Sequence, residues 1–185
     1  MIDYIKFLKE KLKGYSFGLI VRLELESLFF LMSSLFPTTA GVILRAILVK
    51  LFFKKSKGFA WIQPKVIVVH SERLIVGTNF VVNSGTYINA VGSIEIGSYV
   101  IIGNNVTVSS GKHPIEGQMP PIVSRQTIPQ KIIIEDDVWI GAGAVIMPGI
   151  KIAKGTVVGA NSIVTKDTNE YDIVVGCPAK FMRKR

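Results

Sequence analysis

Cysteine, histidine and charged residues are all scarce in this chain of 185 residues, and each scarcity excludes a class of protein. The single cysteine, Cys177, excludes a disulfide framework and a cysteine zinc cluster, and it is typical of a reducing cytoplasm. Two histidines, His70 and His113, are too few for a three-histidine metal site. Charged residues make up 19% of the chain against 49% apolar ones, so we expect a sizeable core and no extensive disorder.

The net charge of +9 is unevenly distributed along the chain. Residues 1–58 hold ten Lys and Arg against four acids, while residues 59–185 hold twelve against nine. Four of those twelve basic residues lie in the last six positions, and aromatic stacking residues do not alternate with the basic surplus at the two ends as in a nucleic-acid groove. We therefore expect no nucleic-acid partner. Because the first 13 residues alternate charges without a small-residue cleavage site, we also expect no signal peptide and a cytoplasmic location.

The first 58 residues form a region that is predicted to be helical, because apolar residues recur at helical spacing. Pro37 interrupts the pattern, and Thr38 or Thr39 is a candidate cap for the helix that follows. Gly58 is a candidate stop signal behind a group of lysines. The predicted helical stretches are residues 4–12, 19–32 and 41–53.

Residues 27–44 contain no charged side chain, and 18 residues in one helix would span about 27 Å, close to the membrane threshold. Pro37 near the middle argues against one continuous span and favours a hairpin of two short apolar helices. Two alternatives stay open for residues 19–57. Either they make a peripheral membrane contact, with the lysines of residues 50–57 towards anionic headgroups, or they cap the core that follows.

From Trp61 onward, aliphatic residues recur every six positions, and a small or β-branched residue often follows four positions later. A period of six fits neither an amphipathic helix nor a simple hairpin sheet. It predicts a β-helix over residues 59–185, in which each flat side is a short strand and the aliphatic residue points inward. The aliphatic series are Val76, Val82 and Ile88; Ile96, Ile102 and Val108; and Ile134, Ile140, Ile146, Ile152, Val158 and Val164.

Between Val108 and Ile134 the period of six is lost. Four prolines in this interval predict an extended loop at about residues 109–131. His113 lies near its start, followed by Pro114. Long loops on rigid scaffolds commonly carry function, so His113 is the leading catalytic candidate, while His70 is expected to be structural.

Several motifs in this order resemble those of the hexapeptide-repeat acyltransferases, and most closely the maltose, galactoside and polysaccharide O-acetyltransferases. The motifs are GKHP at 111–114, VWIG at 138–141, VTKD at 164–167 and GCPAK at 176–180. The resemblance covers about residues 60–182. It implies an all-β fold, a left-handed parallel β-helix, here with a short N-terminal α-helical region. It further implies a homotrimer that binds acetyl-CoA as co-substrate between neighbouring prisms, without a metal.

The resemblance also implies roles for individual residues. His113 matches the catalytic base, and a neutral imidazole can accept a hydroxyl proton at physiological pH. Asn83 matches a residue that holds the acceptor, although a turn-forming asparagine at a corner stays an alternative. Small residues would offer backbone N–H groups to the donor, with Ala142 facing the oxyanion, and basic residues would bind the nucleotide phosphates. The donor-side positions are Trp139, Ala142, Ala160, Thr165, Lys166, Lys180 and Arg183.

The expected function is therefore O-acetylation of a sugar or polysaccharide-precursor hydroxyl, by direct transfer from acetyl-CoA with His113 as general base. Residues 89–91 read Asn-Ala-Val, whereas sugar-acetylating relatives tend to carry acidic residues there, so the acceptor stays open. The alternatives are N-acetylation of an amino sugar, O-acetylation of an antibiotic, and an inactive binding module at a membrane.

Overall fold

Two helices begin the part of the chain that the computed structural model describes, residues 15–185. Helix α1 spans Phe17–Ser33 and helix α2 spans Thr39–Phe52, with Pro37 in the turn between them. Each begins at a hydroxyl cap: Ser16 Oγ accepts from the Leu19 N–H at 3.2 Å, and Thr38 Oγ1 from the Gly41 N–H at 3.4 Å. The predicted helical hairpin is confirmed, while the stretch predicted at residues 4–12 lies outside the described residues.

Short strands make up the rest of the described chain. They are β1 (Lys55–Ser56), β2 (Ala60–Ile62), β3 (Ile67–Val69), β4 (Leu74–Val76), β5 (Phe80–Val82), β6 (Tyr87–Asn89), β7 (Ile94–Ile96), β8 (Ile101–Ile102), β9 (Thr107–Ser109), β10 (Gly111–Lys112), β11 (Ile128–Pro129), β12 (Ile132–Ile134), β13 (Trp139–Ile140), β14 (Val145–Ile146), β15 (Lys151–Ile152), β16 (Val157–Val158), β17 (Ile163–Val164), β18 (Asp172–Val175) and β19 (Lys180–Lys184).

Three parallel sheets form the sides of a triangular prism, and the chain visits them in the repeating order A, B, C. Face A contains β1, β4, β7, β12 and β15, and face C contains β3, β6, β9, β14 and β17. Face B contains β2, β5, β8, β13, β16 and β18, with β19 added antiparallel at the outer end. One passage through the three faces is a coil. This arrangement is a parallel β-helix with two N-terminal helices, so the predicted fold class is confirmed.

The aliphatic series identified in the sequence points into the prism. On face B the inward residues of successive coils pair in register and are at most 5% exposed. Stacking coils about 4.8 Å apart lets each side chain cover its neighbour, so the core is one continuous apolar column. The face B residues of this column are Ile62, Val82, Ile102, Ile140, Val158 and Val174.

The breaks in the period of six all occur at one edge of the prism, between faces C and A, here called the C–A edge. Inward residues on faces A and B, or B and C, are always six positions apart, as Val76, Val82 and Ile88 show. Across the C–A edge the interval is eight from Val68 to Val76 and also from Ile88 to Ile96. It is 26 from Val108 to Ile134, where residues 110–131 leave the prism as a loop.

The helices cover the open end of the first coil. Helix α1 packs on β3 and α2 on β2, the end strands of faces C and B, and Phe30, Val49 and Phe53 join the β-helix core. An uncovered edge strand would leave polar backbone groups unpaired. Here the Ile62 C=O accepts from Arg45 Nε at 2.7 Å, and the two helices cover this end of the β-helix.

Gly58 does not end α2 as predicted, because the helix already stops at Phe52. The Phe52 C=O accepts a hydrogen bond from Ser71 Oγ at 3.1 Å, and the chain continues as β1. Gly58 instead lies against the next coil, where a Cβ atom would come within 2.9 Å of the Thr78 side chain. Its lack of a side chain serves coil stacking rather than helix termination.

Candidate active site

The loop at the C–A edge begins and ends as a two-stranded ribbon. Strands β10 and β11 pair antiparallel, with Gly111 opposite Pro129 and Lys112 opposite Ile128. The Gln130 N–H donates to the Ser110 C=O at 2.7 Å and closes the base of the ribbon on the third coil. The first residue beyond the ribbon is His113, so its backbone is fixed on one side by strand pairing.

Arg125 fixes the other side of His113. Its guanidinium donates from Nη1 to the Pro114 C=O at 3.1 Å and to the Glu116 C=O at 2.6 Å. Nη2 donates to the Gly117 C=O at 2.7 Å, and Nε to the Pro120 C=O at 2.7 Å. Four carbonyls from one side of the loop therefore meet at one half-buried side chain. The fork of fixed donors on arginine suits this gathering of backbone oxygens.

The imidazole of His113 is exposed and, within residues 15–185, has no hydrogen-bond partner. A general base needs its ring nitrogen within reach of the proton that it removes, and exposure on a fixed backbone meets that need. His70 is different, since it is buried and lies 3.3 Å from a Glu72 carboxylate oxygen.

Asn83 lies at the edge between faces B and C, here called the B–C edge, directly after β5. Its side-chain Nδ2 donates to the Ile102 C=O of the next coil at 2.9 Å. That bond supports the corner role, which was one of the two readings of this residue. The side-chain oxygen has no partner within residues 15–185, so it stays available to accept from a hydroxyl group.

Ala142 and Ala160 lie on the same B–C edge, in the fourth and fifth coils. Both are exposed, and among the described residues their backbone N–H groups have no hydrogen-bond partner. Gly141 permits the close stacking of the fourth coil on the fifth, because a Cβ atom there would come within 2.6 Å of the Ala160 nitrogen. Trp139 is about half exposed on the outer side of face B, three positions before Ala142. This edge thus presents free N–H donors to a ligand.

A cleft of about 320 Å³ lies over the last coil, where the chain folds back after β18. Thr165, Lys166 and Lys180 line it together. Within residues 15–185 neither of these two lysines forms an ion pair with a carboxylate, so both charges are available for an anion. Arg183 does not line the cleft; it lies on β19 and donates to the Lys184 C=O at 2.9 Å.

Asp172 forms a rigid part of the cleft wall. Burial alone would raise the pKa of this carboxyl, but the Lys184 ammonium, 2.7 Å from Oδ1, and the Asn169 N–H, 2.9 Å from Oδ2, outweigh it. The pKa of Asp172 is therefore held below its ordinary range. Lys184 is committed to this bond, which leaves Lys166 and Lys180 as the free cations of the cleft.

The structure does not bring all the predicted residues together in one chain. Asn83, Ala142 and Ala160 follow the B–C edge, whereas His113 projects from the C–A edge. Face C separates these edges by about six residues, roughly 20 Å at about 3.3 Å per residue. Along the prism axis, however, the levels are ordered: Asn83 in the second coil, the stem of the His113 loop in the third, and Ala142 in the fourth.

Sequence reasoning missed Arg125, which appears there as one basic residue in a proline-rich loop. No residue type in the sequence signals this role, because the partners of Arg125 are backbone carbonyl groups. Among residues 15–185, no three His, Cys, Asp or Glu side chains are grouped so that they could hold a metal ion.

Comparison with known proteins agrees with this fold. The family model "Bacterial transferase hexapeptide (six repeats)" matches residues 131–166. The galactoside O-acetyltransferase of Escherichia coli (strain K12) is 34% identical over 140 residues, which cover 76% of this chain and 68% of that enzyme. A chloramphenicol acetyltransferase of Klebsiella aerogenes is 57% identical over 53 residues, 29% of this chain and 25% of that protein. A solved galactoside acetyltransferase in complex with coenzyme A is 28% identical, with a TM-score of 0.80, over 92% of this chain and 84% of that one. The chain therefore belongs to the hexapeptide-repeat acetyltransferases.

Proposed function

We propose that this protein transfers an acetyl group from acetyl-CoA to a hydroxyl group of a sugar or polysaccharide precursor, with His113 as general base. The observation that carries the proposal is the order of the site residues along the prism axis. Asn83, the loop stem before His113, Ala142 and the cationic cleft follow one another at intervals of one or two coils, about 5–10 Å each. This is the order in which an acceptor, a base, a thioester and a nucleotide would be met.

The chemistry assigned to each residue follows from its surroundings. His113 removes the proton of the acceptor hydroxyl, and the oxygen attacks the thioester carbonyl carbon. The free N–H of Ala142 donates to the oxyanion of the tetrahedral intermediate, and that of Ala160 to the arm of the donor. When the C–S bond breaks, the imidazolium of His113 returns the proton to the departing thiolate. Lys166 and Lys180 bind the nucleotide phosphates, and holding both substrates in line contributes much of the acceleration.

We infer that the site combines two copies of the chain, and we assign it to the interface of a homotrimer. His113 and Asn83 lie on different edges of one prism, which supports a site formed by the C–A edge of one copy and the B–C edge of another. The outer side of face B supports such an association, because its aligned outward residues are apolar. They are Trp61, Val81, Ile101, Trp139, Val157 and Ile173.

The test of the base is thiol release from acetyl-CoA in the presence of a panel of sugars, amino sugars and lipid-linked saccharides. His113→Ala should lower turnover by about 10²–10⁴ while leaving acetyl-CoA affinity nearly unchanged, because the imidazole acts on the acceptor. Wild-type turnover in the variant would disprove the role of His113.

The shared site is tested by co-expressing two inactive variants, His113→Ala and Ala142→Arg. The first lacks the base, and the second places a bulky side chain over the donor edge. If each site combines two subunits, about a quarter of the sites in random mixed trimers combine an intact base with an intact donor edge. Roughly that share of activity should return. No recovery in verified mixed trimers, or a monomer with full activity in light scattering, would contradict the assignment.

An antibiotic hydroxyl is a second candidate acceptor, favoured by the short match to a chloramphenicol acetyltransferase. The absence of acidic residues at positions 89–91 agrees with an acceptor less polar than a sugar. Chloramphenicol therefore belongs in the acceptor panel, and a kcat/KM higher than that of any saccharide would favour this function.

A further inference from the structure

Helix α1 presents apolar side chains to solvent along its whole length. A helix on a protein surface normally shows its polar side to water. In α1 and the turn after it, exposed apolar residues recur every three or four positions, so they share one side, and Phe17 is 81% and Leu31 66% exposed. The opposite side, with Glu26, Phe30 and Ser33, is buried against the prism. The exposed apolar residues are Phe17, Val21, Leu25, Leu28, Leu31, Met32, Leu35 and Phe36.

Helix α2 repeats this pattern. Ile43, Leu44, Ile47 and Leu51 are exposed, with Leu51 at 72%, while the buried side packs on β2. The exposed apolar residues of α1, α2 and the turn between them are called the outer helical surface below. No second layer of the described chain covers it.

The charged residues next to the outer helical surface either are buried against the prism or lie mainly near the end of α2. Glu26 and Arg45 flank the charge-free residues 27–44, and both are 1% exposed. Glu26 Oε1 accepts from the Ser71 N–H at 3.2 Å, and Arg45 bonds to backbone C=O groups. The charges left outside are mainly basic, because four exposed lysines stand near the end of α2 against one exposed acid, Glu24. These lysines are Lys50, Lys54, Lys55 and Lys57.

We propose that the outer helical surface docks the protein on an anionic lipid bilayer. Apolar side chains would enter the boundary between headgroups and acyl chains, and the four lysines would meet the lipid phosphates. The contact would be peripheral, since neither helix in residues 15–185 has the length and apolarity to cross a bilayer. A second protein molecule would not by itself account for four lysines that form no ion pair within residues 15–185 and stand beside an uncharged apolar surface.

The position of the outer helical surface on the prism also fits contact with a lipid bilayer. The helices cover the first coil, whereas the cationic cleft lies over the last one. Five coils separate them, about 24 Å at about 4.8 Å per coil. Docking through the helices therefore leaves the cleft facing away from the bilayer, open to a water-soluble ligand.

The test is cosedimentation of the full-length protein with vesicles of phosphatidylcholine, with or without phosphatidylglycerol. Binding is expected with phosphatidylglycerol and should weaken as salt is added. The double variant Leu31→Glu/Leu51→Glu should lower the partition coefficient at least about tenfold, because it places two carboxylates in the lipid contact. The matched control is Ile115→Glu/Met182→Glu, which adds the same charge at similarly exposed apolar positions away from the helices and should reduce the partition coefficient much less.

A third variant changes the four lysines to glutamine, and it should lose the preference for phosphatidylglycerol. Circular dichroism melting shows that each variant is folded, since all the altered side chains are exposed. Three results would overturn the proposal: no sedimentation of the intact protein, equal loss in the control variant, or binding retained by Leu31→Glu/Leu51→Glu. A change of mass in light scattering for that variant, without vesicle binding by the parent, would assign the surface to contact between copies instead.

Discussion

Replacing Arg125 by alanine tests whether the loop must be held for His113 to act. The change removes four hydrogen bonds, those to the Pro114, Glu116, Gly117 and Pro120 carbonyls. Bonds from a charged donor contribute about 1.5–3 kcal/mol each, but water replaces much of this around a half-buried side chain. A loss of roughly 2–3 kcal/mol in loop ordering is therefore reasonable. We expect kcat to fall about 10- to 100-fold, because misplacing a base by about 1 Å costs that much.

The assay separates positioning from general damage. Acetyl-CoA KM and the unfolding midpoint should change little, since the donor residues and the core lie in the prism. Arg125→Lys, which can keep only part of the fork, should fall between the alanine variant and the unmodified protein. The control is Arg73→Ala at the same edge, which removes a guanidinium that bonds to one carbonyl, that of Val91, and pairs with Glu72 at 3.5 Å. Unchanged kcat in Arg125→Ala, or an equal loss in the control, would refute the reasoning.

Three further predictions concern other parts of the site and the helical cap. Asn83→Ala should lower stability by about 0.5–1.5 kcal/mol, because the hydrogen bond to the Ile102 C=O is lost. It should also raise the acceptor KM by an amount that corresponds to about 0.5–1.5 kcal/mol, because the side-chain oxygen proposed to accept from the hydroxyl is lost; loss of CoA binding in calorimetry would contradict this. Dephospho-CoA should bind about 5- to 150-fold more weakly than CoA at low salt, and Lys166→Ala should weaken CoA binding more than Arg183→Ala. Equal affinities would show that the cleft lysines do not meet that phosphate. Burial raises the pKa of Glu26 above its ordinary 4.5, although bonds from Ser71 oppose it. A raised folded-state pKa means that stability falls as pH rises from about 4.5 through that pKa. Glu26→Gln should therefore gain unfolding free energy relative to the parent as pH rises in denaturant titrations, and a constant difference would disprove this.

Much of the fold could be predicted from sequence because the inward aliphatic residues and the small corner residues repeat with the coil. The period of six predicts the short strands, the flat faces and the inward core residues at once, as Ile140, Ile146 and Ile152 illustrate. Its interruptions at Ile88–Ile96 and Val108–Ile134 could not be interpreted alone. They fall at one edge in space, and that is visible only when the coils are stacked. Handedness was implied by the resemblance and not by the period.

The site was less predictable, because sequence does not show which edge a residue occupies. His113 and Asn83 are 30 positions apart, and only the coil order reveals that face C lies between them. Glu26 and Arg45 read as ordinary helix charges, yet both bond to the backbone of the first coil. Arg125 shows the same limit, since its partners are backbone carbonyls, which no residue type identifies.

The C–A edge has a consequence for how such proteins can be altered. The inward residues of faces A and B, and those of faces B and C, are always six positions apart. An insertion between them would therefore shift the inward residues that follow it in that coil. At the C–A edge the interval ranges from six to 26 without changing the pairing of the flanking strands. A foreign segment grafted between Ser71 and Arg73 should therefore leave the prism intact. Exchanging residues 110–131 between relatives offers a direct way to transplant one loop onto another prism.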